Sequence, residues 1–329
     1  MPLSVFCITE REPTWYCMIK TFFKTLSLAL FGKKQYEVII LEYGIDRPGE
    51  MDLILKVAHP DIGVFTAIDA VHSEQFGSPD AIAKEEIKMA LHTKELVFLN
   101  HDDNYAMQLL PRLKIDTITY QTKGHDQNAD IFFQDCDFTL GSANHDIKSA
   151  FSLHLKGKTY HITTNLIGKA NYGYIGVALA ITETLAYQTP LVIASEPKAK
   201  RGNLKNKKIA TPSARDDNTL LPSDLDLTYQ LQPGRLSIFA GKYNSIIFDS
   251  TYNAAPLSMR KTIDTAFTIR SKLFPNSEIR IILGDMRELG DLTEQEHRLL
   301  AGYVSQVADK LFLMGPQMTT HFADEIQKV

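Results

Sequence analysis

The 329-residue sequence is short of several things, and each shortage excludes a class of protein. It has three cysteines, Cys7, Cys17 and Cys136. Widely spaced and odd in number, they form neither a disulfide framework nor a metal-ligand motif, and they fit a reducing cytoplasm. No run of Lys or Arg makes a backbone-tracking stripe, and the formal charge of −4 argues against a nucleic-acid binder. No stretch approaches the roughly 18 continuous apolar residues of a membrane span. The nearest, residues 21–31 (TFFKTLSLALF), is broken by Lys24 and followed by Lys33 and Lys34. With Ile19, Phe22, Phe23, Leu26 and Leu30 on one face, residues 18–31 read as an amphipathic, core-facing helix rather than a signal anchor. There is no internal repeat and no low-complexity tract.

What is present is ordinary globular material. Hydrophobic residues make up 44% and charged residues 22%, which at this length suggests two domains, each able to bury a core. Compact apolar runs at Glu37–Leu41, 62–68 and 95–100 predict buried parallel strands, with a helix over about 79–93. Strands alternating with helices imply βαβ units. Residues 149–165 then alternate apolar and polar around Lys156-Gly157-Lys158, predicting a hairpin in a small antiparallel insertion. A long helix follows at about 172–188, and residues 197–232 are polar and partly loop. Pro233-Gly234-Arg235 reads as a hinge. Beyond it, strands are expected at 245–249, 279–283 and 310–313, and helices near 256–273, 293–307 and 318–328.

Two segments carry the most information: IIFDSTYNAAPLSM at 246–259 and IILGDMRELG at 281–290. Each is a short apolar strand that ends in a polar turn and opens a helix. In open α/β sheets, that junction is where helix N-termini present free N–H groups to ligands. Their wording resembles the Mur ligase family, in which the segments commonly read DDSYNANPxSM and LGDMxELG. The resemblance runs from about Glu37 to near Val329. It implies an α/β fold: a segment at 1–35, a central ATP-binding domain at 36–233 (parallel sheet, helices, antiparallel insertion) and a Rossmann-like C-terminal domain at 234–329.

The resemblance also implies residue roles. Glu42, in LEYGIDRPGEMD, matches the first Glu of the family's ExGxxxxGE, near Mg²⁺, a hard cation that takes oxygen ligands. By itself a Glu ending a strand is simply solvated. His72, in AVHSEQFGSPDAIA, matches the histidine of AHLEGFGSxxxIA at the metal–phosphate centre, and imidazole is a competent ligand beside carboxylates. The family's carbamylated lysine falls at Glu86, flanked by Lys84 and Lys88. Either Glu86 supplies the negative oxygen directly, or a one-turn shift brings in a neighbouring lysine, or KEEIK is a solvated helix face. Asn100, Asp102 and Asp103 match LNxDD, and either bind nucleotide or order the loop through Asx turns. Asn171 keeps the first asparagine of GxHNxxNxxAAxA, which faces adenine; Ala170 and Tyr174 replace its two other polar residues. Arg235 matches a phosphate-binding arginine, whose fork donates two parallel bonds. Asp249 matches the acidic residue near ribose, Tyr252 and Asn253 the YN of YNAN, and Asp285 the acid of LGDM. His297 falls at a helix histidine and reads as an ordinary surface residue.

One family feature is not in these 329 residues: a Gly-rich loop of form G-x-x-x-x-G-K followed by Ser or Thr. That loop cradles phosphates with backbone N–H groups and a lysine. Gly157-Lys158-Thr159 fails the pattern, because residue 152 is Ser and the segment reads as a hairpin. The implied activity is ATP-dependent, Mg²⁺-assisted amide formation in peptidoglycan precursor synthesis. Its substrates are UDP-N-acetylmuramoyl-tripeptide and D-alanyl-D-alanine, and its setting a cytoplasmic monomer with no nucleic-acid or membrane partner. The chain alone is expected to be catalytically weak. A non-catalytic nucleotide- or partner-binding remnant, and an amide ligase of folylpolyglutamate or cyanophycin type, are the alternatives.

Overall fold

The computed structural model describes residues 37–124, 127–188 and 221–328. The expected helix at 18–31 and most of the polar stretch 197–232 lie outside them. The chain falls into two compact units, Met1–Gly44 and Ile45–Val329.

In the first unit, Glu37–Leu41 is not a strand. Val38, Ile39 and Ile40 are exposed. This corrects the sequence expectation. A short apolar run is equally compatible with extended chain, and only ladder pairing makes it a strand.

In the second unit, one sheet of seven strands dominates, in chain order. They are β1 (Ile62–Phe65), β2 (Leu96–Asn100), β3 (Asp116–Tyr120), β4 (Ile131–Leu140), β5 (Ile147–Leu155), β6 (Lys158–Thr164) and β7 (Asp224–Leu227). β1 to β4 run parallel, β4 to β6 antiparallel, and β7 parallel to β6. The antiparallel strands therefore extend the main sheet. The hairpin turns at Lys156 (φ 50°) and Gly157 (φ 77°), successive left-handed residues that match the twist of paired strands.

Helices α1 (Glu50–Val57), α2 (Ser73–Phe76), α3 (Pro79–Leu91), α4 (Asn104–Leu109) and α5 (Lys169–Gln188) accompany the sheet. Buried Phe98, Tyr120, Ile131, Phe133, Phe151, Leu153, Tyr160 and Tyr172 fill its core. α5 presses onto the strands because two of its residues lack side chains. A Cβ at Gly173 would lie 1.8 Å from the Gln121 carbonyl oxygen, and one at Gly176 2.5 Å from the Ile131 side chain.

After Pro233 the elements are β8 (Ser237–Ala240), β9 (Ile246–Asp249), α6 (Pro256–Leu273), β10 (Arg280–Gly284), α7 (Thr293–Val304), β11 (Lys310–Met314) and α8 (Ala323–Ile326). β8 and β9 pair antiparallel; β10 and β11 pair parallel. Their core is Ile263, Leu283, Met286, Leu300, Val304 and Phe322. A smaller cluster joins Phe138, Ile147 and Ile167 to Ile269 of α6, so the two parts share apolar contact.

Candidate functional site

The C-terminal ends of β1 to β3 meet the helix-opening turns of the later part. Asp69, just past β1, accepts from its neighbour Ala70 N–H at 2.8 Å and from Leu257 N–H, in the first turn of α6, at 3.2 Å. Leu257 N–H is one of the donors that a helix start leaves without an internal partner. Nearby, Glu74 N–H donates to the Glu288 carbonyl at 3.2 Å. His72 Nδ1 lies 2.8 Å from Glu288 Oε2, and its Nε2 lies 3.6 Å from Asp46 Oδ1. His72 (φ 68°) and Glu288 (φ 63°) both hold left-handed backbone, which non-glycine residues occupy at a cost of about 1–3 kcal/mol. Gly290 lets the strands of contact close: a Cβ there would lie 2.9 Å from Glu74 Cα. Three sequence motifs (AVHSEQFGS, YNAAPLSM and LGDMRELG) thus converge on one junction.

Between the end of β2 and the start of α4, most of the polar residues are committed to the scaffold. Buried Asn100 donates from Nδ2 to the Thr66 carbonyl at 2.7 Å and accepts from Asp102 N–H at 3.0 Å. Asp103 caps α4 through Ala106 N–H at 2.8 Å and accepts from Ile68 N–H at 2.9 Å. Asp102 accepts from Thr122 N–H and Lys123 N–H at 2.6 and 2.8 Å. The turn reading of LNHDD therefore describes these side chains.

Glu86 differs from them. Burial first, and the Asp103 charge second, push its carboxyl up to about 7. Lys84 and Lys88 do not join it, since residues two apart on a helix point roughly 200° apart. Lys84 is exposed. Lys88 bonds Asp52 at 2.6 Å and Glu85 at 2.9 Å. Buried Glu85 in turn accepts from Gly49 N–H and Met51 N–H at 2.9 and 3.1 Å, pinning the start of α1. Asn171 donates to the Ile167 carbonyl at 2.7 Å, a local tie at the start of α5. Tyr174, where the family pattern has asparagine, rests its ring against Tyr120.

The hinge makes a third group. Asp249 accepts from Gly234 N–H at 3.0 Å and from Thr251 N–H and Oγ1 at 3.1 and 2.7 Å. These bonds, Thr251 Oγ1 foremost, hold its carboxyl below the usual range. Gly234 (φ 80°) is required here, because a Cβ would lie 2.9 Å from Tyr252 N. Arg235 lays its guanidinium 3.9 Å from the centroid of the Tyr252 ring, a cation–π stack. Among the described residues the guanidinium has no ion pair, so its N–H edges remain available. Asn253 accepts from Ala254 N–H.

Among the described residues, no three His, Cys, Asp or Glu side chains gather as a metal-binding set. Glu42 belongs to the first unit and His72 to the second. Asp285 accepts from Met318 N–H at 2.8 Å. His297 is fully buried, which corrects its reading as a surface residue. Its Nδ1–H donates to the Thr293 carbonyl at 2.6 Å and its Nε2 accepts from Met286 N–H at 3.2 Å, fixing the GDM turn. Sequence reasoning missed Asp69, Lys123, Lys261 and Glu288. Asp69 had a faint signal, a carboxylate just past an apolar strand.

Comparison with known proteins follows the same two parts. The Mur ligase middle domain matches residues 21–182, and the Mur ligase glutamate ligase domain matches 234–329. The UDP-N-acetylmuramoyl-tripeptide--D-alanyl-D-alanine ligase of Bacillus subtilis is 24% identical over 286 residues, covering 85% of this chain and 51% of that protein. The ligase of the same name from Borreliella burgdorferi is 26% identical over 298 residues, covering 88% and 53%. The chain thus spans about half the length of these relatives. The crystal structure of MurF from Acinetobacter baumannii superposes with TM-score 0.61 at 20% identity, covering 92% of this chain and 56% of that one. MurF from Thermotoga maritima, in complex with ADP, gives 0.59 at 18%, covering 88% and 60%. With two matched domains in family order and the family's loops meeting at one junction, the chain belongs to the Mur ligase family.

Proposed function

We propose that this chain supplies the central and C-terminal domains, 36–233 and 234–329, of an ATP-dependent ligase of peptidoglycan precursor synthesis. The ligase adds D-alanyl-D-alanine to UDP-N-acetylmuramoyl-tripeptide in the cytoplasm. The observation that supports this best is the convergence of AVHSEQFGS, YNAAPLSM and LGDMRELG at one junction, through Asp69–Leu257, Glu74–Glu288 and His72–Glu288. Residues from two parts of a chain that meet over a sheet's C-terminal edge are placed to hold two reactants together, which is where the rate gain of a two-substrate ligation originates.

ATP, when bound, supplies the phosphoryl group that activates the peptide carboxylate. Arg235 fits that group, since Tyr252 supports its guanidinium flat and leaves its donors free for phosphate oxygens. Asp249 shapes the loop that carries Tyr252 and, with Asn253, lies where the ribose is expected. Asn100, Asp103 and Asn171 act as scaffold for the nucleotide side, because their polar atoms already have backbone partners. Glu86 provides a partly buried carboxylate on α3, within electrostatic reach of Asp103. Glu42 and His72 each carry a group able to ligate Mg²⁺, Glu42 through oxygen and His72 through a ring nitrogen.

The test is ATP- and D-alanyl-D-alanine-dependent phosphate release by the 329-residue protein, alongside calorimetric titration with Mg·ATP. Nucleotide binding with weak or no turnover is expected, because the Gly-rich phosphate loop is not within these residues. Absence of any nucleotide binding refutes the reading.

A further inference from the structure

We propose that Lys261, assisted by Lys123, is a phosphoryl-binding cation at the C-terminal edge of the large sheet. The identity of the anion rests on the ligase reading above; its charge rests on the geometry alone. Lys261 sits on α6, four residues after Leu257, and so shares a face with the residue that donates to Asp69. Through Leu257 that face meets the loop leaving β1, and Lys261 interacts electrostatically with Asp102 and Asp103 after β2 and with Lys123 after β3. Lys123 lies three residues past β3, its backbone N–H held by Asp102 at 2.8 Å.

Lys261 is partly buried. Burial lowers its proton affinity, Lys123 lowers it further, and Asp69, Asp102 and Asp103 act in the opposite direction. Those three carboxylates each accept backbone N–H bonds, and none of them bonds the Lys261 ammonium. Asp69 accepts from Ala70 and Leu257 N–H, Asp102 from Thr122 and Lys123 N–H, and Asp103 from Ala106 and Ile68 N–H. Among the described residues, neither the Lys261 nor the Lys123 ammonium has a hydrogen-bond or ion-pair partner. An ammonium carries three donors and no acceptor; Lys123 is exposed and is met by water, whereas leaving the donors of the partly buried Lys261 unmet is costly. A lysine placed to brace α6 would bond Asp69 one turn away; this one does not. A phosphoryl group, with its several anionic oxygens, supplies the acceptors that Lys261 lacks and is attracted by the Lys123 charge that acts on the same site. The two lysines would then supply positive charge of the kind a Gly-rich loop's lysine provides, from a different place in the chain.

The experiment titrates the full 329-residue protein with inorganic tripolyphosphate and, separately, with Mg·ATP, comparing wild type with Lys261→Met, Lys261→Arg and Lys123→Ala. Melting temperatures check folding. The loss of a charge-assisted contact predicts affinity weakened about ten- to a hundredfold in Lys261→Met. Most of the affinity is kept in Lys261→Arg, and a smaller loss is seen in Lys123→Ala. A folded Lys261→Met that binds both anions like wild type overturns the inference. If that variant does not fold, labelling of wild-type amines with trinitrobenzenesulfonate decides: protection of Lys261 by tripolyphosphate supports the inference, and unchanged labelling overturns it. Lys261-dependent tripolyphosphate binding without nucleotide binding keeps the inference and removes the nucleotide reading. Mg·ATP binding indifferent to Lys261 does the reverse, and binding of neither anion overturns both.

Discussion

Replacing Glu86 by glutamine should stabilise the protein, and should do so only at higher pH. In the folded chain this carboxyl is raised from 4.5 to about 7, by burial and then by Asp103. At about 1.4 kcal/mol per pH unit, ionising Glu86 in the folded protein is about 3 kcal/mol harder than in the unfolded chain. The sign follows from proton counts. Between the two values the folded state holds the extra proton, so Glu86 favours folding most below pH 4.5, and that contribution is lost as pH rises to about 7. Glutamine keeps the shape of the protonated acid and removes the titration. Urea unfolding followed by far-ultraviolet circular dichroism should show Glu86→Gln more stable than wild type by about 3 kcal/mol at pH 8, and by under about 1 kcal/mol at pH 5. Equal differences at the two pH values would refute the argument, because a packing change has no reason to track pH. A variant less stable than wild type at pH 8 would mean that the carboxylate is held by a favourable partner.

Three further substitutions probe the scaffold around the junction. Gly173→Ala places a methyl 1.8 Å from the Gln121 carbonyl oxygen, where backbone cannot yield cheaply; a loss of about 1–3 kcal/mol or more is expected in denaturant melts. His297→Ala removes a buried ring and leaves Met286 N–H without its acceptor; about 2–4 kcal/mol should be lost, with faster amide exchange through 285–289 by mass spectrometry. Gly290→Ala combines a left-handed φ of 54° with a Cβ 2.9 Å from Glu74 Cα. It should loosen the contact between 72–76 and 285–290, seen as new protease cleavage in either loop with little change in secondary structure.

The parts of the fold that sequence made legible are those in which a local pattern decides the outcome. The hairpin at Lys156-Gly157 declared itself because alternation and a turn pair coincide, and strands at 62–65, 96–100 and 280–284 because apolar runs there are bounded by polar turns. β4 was hidden. Its run is broken by Asp135, a left-handed residue at a register shift between Gln134 and Asp137, so the period of two fails midway. Glu37–Leu41 fails in the opposite direction, since its apolar composition says nothing about whether a ladder partner exists. The site divides along the same line. Motif wording located the junction, because YNAAPLSM and LGDMRELG are turns whose backbone conformation is written locally. It did not reveal which side chains remain available once the chain has folded. Asn100, Asp103, Asn171 and Asp249 all matched ligand-binding positions, yet each now bonds backbone groups of its own scaffold. Among the described residues Arg235 has no ion pair, Glu86 has its carboxyl raised to about 7, and Lys261, which no motif marked, has no hydrogen-bond or ion-pair partner. Whether a polar group is satisfied depends on neighbours that arrive from distant strands and helices, so only the assembled molecule separates the groups that bind from the groups that brace.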